Sequence, residues 1–344
     1  MDLEQIRRED PRRILIVRQH NQMGDMLCAV PALRAIHESF PRARKMLVTA
    51  PVNDGVVRGN PYLDEILLFD KVAVRRSPRQ AVGFLKSLRS FAPELAIVLN
   101  SVSYSGTSSW IAVLSGARRI IGGDSTPFGW SFSRWLYNLE MPVQVELKGH
   151  AIEHSLAPLR AVGMDTADRS TVLIPGWEDR AQARRFLESV GPSPWAAIHP
   201  GAGKEENRWP AERFAAVVHK LRRRGWSVWC IEGPADRHAT EQLLASLEEP
   251  VKVLRGVSVR TVAAALAASQ LALVNDTGIM HVAGAVGTAT VALFGPTAAE
   301  SWRPPGDAVR ALQSPDGTME GLGLDVVWDA VSRLAGEVEA RTAG

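Results

Sequence analysis

Apolar residues fall along this chain in short unbroken runs. Each run closes in a polar turn and is followed by a stretch whose apolar positions recur every three or four residues. Arg13-Ile-Leu-Ile-Val-Arg18 is the first run, and its lack of polar alternation predicts a strand buried on both faces. The polar loop Gln19-His20-Asn21-Gln22-Met23-Gly24 follows, then a predicted helix from Asp25 to Ser39 with Leu27, Val30, Leu33 and Ile36 on one side. Met46–Ala50, Glu65–Phe69, Leu95–Leu99 and Arg119–Ile121 read as further strands, with helices near 78–90 and 107–116. A helix over 150–162 stops at Gly163, and the polar stretch 164–171 reads as a linker.

The plan then restarts. Trp195–His199 and Ser227–Ile231 are predicted strands, separated by a Gly-rich charged loop and a helix that Pro210 opens and Gly225 closes. A helix over 237–247, a strand at 251–253 and a helix over 260–268 lead into an apolar strand at Leu271, a polar turn, a short small-residue helix that stops at Gly287, and a second apolar strand ending at Phe294 before the Gly295-Pro296-Thr297 turn. Strands alternating with helices predict parallel, doubly wound sheets. The expected fold class is therefore α/β, with two Rossmann-like domains, 1–165 and 172–344, facing each other across a cleft. The last helix is free to pack back on the N-terminal domain. A ligand at the carboxyl ends of the strands is the default expectation.

Composition narrows this little. Of the 40 basic and 37 acidic residues, 21 and 16 lie in residues 1–165, so the first half is mildly basic and suits an acidic partner. The two cysteines, Cys28 and Cys230, sit in apolar sequence with no disulfide or metal spacing, as in a reducing compartment. No apolar run is long enough to span a bilayer. The expectation is a cytoplasmic protein with at most peripheral membrane contact, and no nucleic-acid partner.

The most specific stretch is Leu271-Ala-Leu-Val-Asn-Asp276-Thr277-Gly278-Ile279-Met-His281. A polar turn that opens a helix at the end of a strand presents free N–H groups and a positive dipole end to a phosphate. Asp276 or Thr277 could instead merely cap the helix. His281 lies one turn in, on the side facing the turn, and its alternative role is that of a core residue. Gly201, Ala202, Lys204 and Arg208 line the loop after Trp195–His199, where cations would neutralise a leaving diphosphate. The Gly203-Lys204 pair fails as a Walker A motif, because the spaced Gly and the following hydroxyl are missing. Glu232 and Asp236 follow the Ser227–Ile231 strand and could touch a ribose or another sugar. Asp25, in a Gly-Asp pair at the end of the first strand, reads equally as a general base or as a helix N-cap. His150-Ala-Ile-Glu153-His154 formally matches a zinc-peptidase pattern, one that arises readily by chance. Trp110, Trp130 and Trp135 flank a Gly/Ser-rich region that is either an acceptor flap or core.

With these pieces placed, the chain resembles glycosyltransferase family 9, the heptosyltransferases of the lipopolysaccharide inner core. The resemblance rests on Arg13-Ile-Leu-Ile-Val-Arg18, Gly24-Asp25 with Pro31-Ala-Leu-Arg34, His199-Pro-Gly-Ala202, Arg208-Trp-Pro210, Asp276-Thr-Gly278 with His281, and Phe294-Gly-Pro-Thr297. It implies a GT-B fold, an acceptor in the N-terminal domain, ADP-heptose in the C-terminal domain, Asp25 as base, and no metal or other cofactor. Donor contacts would come from Gly201, Ala202, Lys204, Arg208, Asp276, Thr277, Gly278, Ile279 and His281. Acceptor contacts would come from Arg18, Gln22, Gly24 and Arg118. Two departures stand out: Gln19-His20-Asn21-Gln22 replaces the family's usual Ser pair, and Asn207 replaces its usual Lys. A transferase using another nucleotide sugar or a non-lipid acceptor, and a nucleotide-sugar binder without turnover, are the competing readings.

Overall fold

The computed structural model describes residues 2–19, 21–99, 104–129, 132–143, 146 and 149–343, with side chains in the last helix described through 340. The chain divides into two compact units, Met1–Ser170 and Thr171–Gly344. His20 and Trp130 lie outside the described residues.

In the first unit six strands form one parallel sheet: β1 Arg13–Arg18, β2 Arg44–Thr49, β3 Glu65–Leu68, β4 Leu95–Val98, β5 Arg119–Gly123 and β6 Leu139–Met141. Their order is β3-β2-β1-β4-β5-β6. The second unit repeats the plan with β7 Trp195–His199, β8 Ser227–Glu232, β9 Lys252–Arg255, β10 Leu271–Asn275, β11 Thr290–Phe294 and β12 Val309–Gln313. There the order is β12-β11-β10-β7-β8-β9, the same winding counted from β7. In both sheets the order reverses beside the first strand, between β1 and β4 and between β7 and β10. Loops leaving those strands diverge to opposite faces and open a crevice at the carboxyl edge.

The sheets are double-faced because their strands are apolar on both sides. Ile14, Leu15, Ile16 and Val17 are all buried, as are Leu271 through Asn275. Leu15, Val17, Val48, Ala96 and Val98 point to one face, where Leu88, Ile111 and Ala112 from two helices, and Phe91 just past the end of the first, cover them. The closing helix Leu324–Ala343, expected as a possible return to the N-terminal domain, buries Val327, Val331, Leu334 and Ala335 in the core of the second unit.

The expected helix 25–39 is two helices, Met23–Cys28 and Val30–Ser39, meeting at Ala29. Pro31 has no N–H to bond back to Leu27, which ends the first helix there. Asp25 is thus not an N-cap: Gln22 holds that position, without a side-chain cap bond. Pro210 flanks the helix Ala211–Arg223 as its N-cap rather than occupying its first turn. Arg34 of the second helix is buried, bonding Tyr62 Oη at 2.7 Å and the carbonyls of Asp168 and Ser170. It pins residues 168–170 to the first unit, and the unit boundary follows directly.

Candidate active site

At the carboxyl edge of the first sheet, Arg18 ends β1 and Asp25 stands in the third position of the helix Met23–Cys28. Arg18 is 2% exposed. Its guanidinium donates to the carbonyls of Leu99 at 3.4 Å and Asp25 at 3.1 Å. Arg18 therefore positions the Asp25 turn and does not present itself to a ligand. Asp25 is only partly buried, and burial pushes its carboxyl above the ordinary value while the Arg18 charge pulls it down. Beneath it the Cys28 thiol is pushed up to about 12 by burial, with Asp25 adding to the effect, so it is no nucleophile.

Gln22 and Gly24 stay with this site, at the opening of the Asp25 helix. Arg118 does not. It precedes β5, whose first residue Arg119 pairs with Leu95, the first residue of β4. Arg118 therefore lies at the amino edge of a parallel sheet, the edge opposite Asp25, beside the Glu9–Arg119 ion pair.

The second sheet builds a denser site at its own crevice. Thr277 caps the helix Gly278–Ala285, its hydroxyl accepting from the Ile279 amide at 3.2 Å. The Thr277 hydroxyl also stands 3.4 Å from Nδ1 of His199, the last residue of β7. Nε2 of the same ring lies 3.0 Å from Asp236, which accepts from the Gly233 amide at 2.9 Å as well. Burial would raise the Asp236 carboxyl, but the His199 bond and charge, the Gly233 amide and Arg208 outweigh it and hold it low. Gly201 belongs here for a steric reason. A Cβ at that position would overlap the Asp236 carboxylate.

Asn275, buried at the end of β10, donates to the carbonyls of Pro200 and Gly201 and accepts from the Trp209 amide. It locks the loop 200–209 onto the helix-bearing turn. Arg208 turns into that loop and donates to the Ala202 carbonyl at 3.2 Å. Asp276 is partly buried, and burial raises its carboxyl against a hydrogen bond from Thr297. His281 is 5% exposed, while Gly278 and Ile279 remain half-buried. Lys204 is exposed and meets Glu206 at 3.4 Å, outside this cluster. Glu232 ends β8 with Oε2 buried and without a hydrogen-bond partner, and with Arg255 at 3.6 Å from Oε1.

These are the features of an anion site at a helix N-terminus: oriented amides, an arginine, and a hydrogen-bonded His–Asp pair beneath. The sequence pattern of glycosyltransferase family 9 (heptosyltransferase) matches residues 83–322. The chain belongs to glycosyltransferase family 9. As a family 9 protein it is a glycosyltransferase, and its fold is GT-B. It is 25% identical over 292 residues to a lipopolysaccharide heptosyltransferase 3 of Escherichia coli, spanning 82% of this chain and 83% of that protein. In structure it is similar to a family 9 glycosyltransferase of Veillonella parvula, with a TM-score of 0.82 at 23% identity, covering 95% of this chain and 98% of that one. It is also similar to an E. coli heptosyltransferase with ADP, with a TM-score of 0.74 at 18% identity over 94% of this chain and 99% of the other.

The zinc-peptidase pattern of this transferase dissolves in the structure. His150 Nδ1 accepts from the Ile152 amide as a helix cap, and Glu153 is held between Arg160 and Arg169. Among the described residues no cluster of three or more His, Cys, Asp or Glu side chains is arranged to hold a metal ion. The residues that sequence reasoning passed over are the supporting ones, His199, Asn275 and Trp209. Each stood inside a quoted motif, but the 37 positions between His199 and Asp236 hide their pairing.

Proposed function

We propose that this family 9 enzyme is an inverting, metal-independent heptosyltransferase that moves heptose from ADP-heptose to a hydroxyl of a lipopolysaccharide inner-core acceptor. The observation that carries the reading is Asp25, a half-exposed carboxylate with raised proton affinity at the crevice of the first sheet. A base is what the attacking hydroxyl needs. The acceptor oxygen gives its proton to Asp25 and bonds to the anomeric carbon. The bond from that carbon to the β-phosphate oxygen breaks, and its electron pair leaves with ADP.

The diphosphate charge is met in the second unit by the amides opening the helix Gly278–Ala285, by Thr277 and by Arg208. Gly201 and Ala202 shape that loop, and Asp276, Ile279 and His281 complete the contact. Lys204 is long enough to swing in from its exposed loop, in the role of the lysine that Asn207 replaces. Glu232 accepts from the adenosine ribose. Support for the donor comes from the similar E. coli structure with ADP, and for the acceptor from the lipopolysaccharide heptosyltransferase relative. The enzyme works in the cytoplasm and meets a glycolipid acceptor from the membrane surface; no described helix is long and apolar enough to cross a bilayer.

The test is product analysis by mass spectrometry with ADP-heptose and other nucleotide sugars, with inner-core and non-lipid acceptors, and with EDTA. Heptosylated inner core formed in EDTA supports the reading. Turnover only with another sugar nucleotide or a non-lipid acceptor, or only with added Mg²⁺, overturns it. ADP-heptose binding without turnover on any acceptor would indicate a binding protein.

A further inference from the structure

Between Asp70 and Glu94 the chain carries Lys71, Arg75, Arg76, Arg79, Lys86 and Arg89 and not one acidic residue. This stretch forms two consecutive helices, Lys71–Arg76 and Pro78–Ser90, whose only fully buried side chain is Leu88. All six cations are exposed, and Val72 and Val82 are exposed among them at 56% and 52%.

The next helix, Gly106–Leu114, covers the same face of the sheet, since Leu88 and Phe91 share one core with Ile111 and Ala112. Arg89 ties the two together, donating from Nε to the Leu114 carbonyl at 3.1 Å. On the helix Gly106–Leu114 and in the segment after β5, Trp110, Phe132 and Trp135 are 59%, 54% and 78% exposed. With Tyr104, Ser109 and Leu136 they line an open cavity of about 570 Å³. Its floor is rigid: Tyr137 Oη lies 2.6 Å from Ser109 Oγ, which donates to Tyr104 Oη at 3.1 Å. The exposed aromatics are thus held outward on a fixed base. The reading of Trp110 and Trp135 as core is excluded.

Exposed aromatics beside an acid-free run of cations have the composition of a surface made for the headgroup region of a membrane. Trp and Phe settle at the boundary between headgroups and acyl chains, and Lys and Arg are drawn to anionic headgroups. We propose that this face of the first unit, the helices 71–76 and 78–90 together with Trp110, Phe132 and Trp135, docks on an anionic lipid bilayer. The inference deepens the reading of a lipid-borne acceptor, but the binding it describes is independent of turnover.

Sedimentation of the full chain with phosphatidylglycerol vesicles and with phosphatidylcholine vesicles tests it. The wild type is expected to pellet with the first, to remain in solution with the second, and to be released by salt. Each basic residue at such a surface is worth about fivefold in partitioning, so Arg75→Glu with Arg76→Glu and Arg79→Glu should lower it by about a hundredfold or more. Trp110→Ser with Trp135→Ser should lower it by about tenfold or more. On an acceptor stripped of its acyl chains both variants should keep wild-type kcat/KM, which shows that they fold. A failure of the transfer assay with intact vesicle binding would count against the proposed reaction and not against the surface. Equal partitioning to both lipids, or binding that neither variant weakens, overturns the proposal. So does a self-association that the Trp substitutions abolish in a chain that ignores vesicles, which would make a second copy the occupant.

Discussion

Arg18 donates from its buried guanidinium to the main-chain carbonyl of Asp25 at 3.1 Å. This places a permanent cation under the carboxylate without a direct contact to a ligand. Burial is the larger influence on Asp25 and raises its pKa; the Arg18 charge opposes it. Burial also disfavours the charge on Arg18 itself, and Asp25 restores part of that loss. The two groups hold each other ionised.

A base must be unprotonated to act, so kcat/KM should fall as pH drops through the Asp25 pKa, on a limb above the ordinary value of 3.8. Removing the cation in Arg18→Met leaves burial unopposed and should move that limb to higher pH. The pH profile of the folded variant checks this. A limb that stays put, or moves to lower pH, contradicts the electrostatic role of Arg18.

The Asp236 carboxylate, 8% exposed, holds the ring of His199 and the Gly233 amide. Asp236→Ala should destabilise the protein by about 1.5–3 kcal/mol, the range for a lost hydrogen bond to a charged group, and should weaken ADP binding by releasing His199. The sign of the pH dependence follows from a lowered folded-state pKa. The stabilisation is present above the ordinary carboxylate value of 3.8 and is lost as pH falls through the lower folded value. Urea titrations of wild type and Asp236→Asn should therefore converge only in acid. A gap as large in acid as at neutral pH, with no narrowing as pH falls below the ordinary carboxylate value, would assign the effect to packing.

Gly201 and Gly203 sit two positions apart in one loop, yet only the first is crowded. A Cβ at Gly201 meets the Asp236 carboxylate, whereas one at Gly203 meets nothing within 4 Å. Gly201→Ala should cost about 1–3 kcal/mol, as other overpacked sites do, and Gly203→Ala should be near neutral. Equal denaturation midpoints for the two variants would show that the loop yields freely.

Donor contacts separate by ligand. Thr277→Val with His281→Ala removes the cap and the first-turn side chain that the proposed reading sets against the diphosphate, and should weaken both ADP and inorganic pyrophosphate. Glu232→Gln should weaken ADP by about tenfold, as for the loss of a hydrogen bond to a charged group, and leave pyrophosphate unchanged. Calorimetry with the two ligands tells these apart. An equal loss for both ligands in Glu232→Gln would remove the ribose from its role.

Much of this architecture was legible in the sequence because a parallel strand buried on both faces is an apolar run, and β1, β7 and β10 announce themselves that way. The helix Trp177–Val190 did not: only Ala183 and Leu187 are buried, too few to set a period. β6 spans three residues, Leu139–Met141, below the length at which any pattern shows. The break at Ala29 was written in Pro31 but was masked by apolar residues that keep helical spacing across it. Local signals were enough to place Thr277 and Gly278 at the opening of a helix. Arg118 was misplaced because charge alone does not say which edge of a sheet a residue occupies. The His199–Asp236 pair was invisible because it joins the ends of two strands that only the fold makes neighbours.

The central claim is that Asp25 takes the proton. Asp25→Asn keeps the shape and removes the base, and a carboxylate with raised pKa is a mild burden on the folded state at neutral pH. The variant should therefore fold with an unchanged or higher Tm and bind ADP as the wild type does. Measured in a single-turnover transfer assay at saturating donor and acceptor, its rate should fall by about a hundredfold or more. A folded Asp25→Asn enzyme that transfers sugar within a few-fold of the wild-type rate would contradict the account.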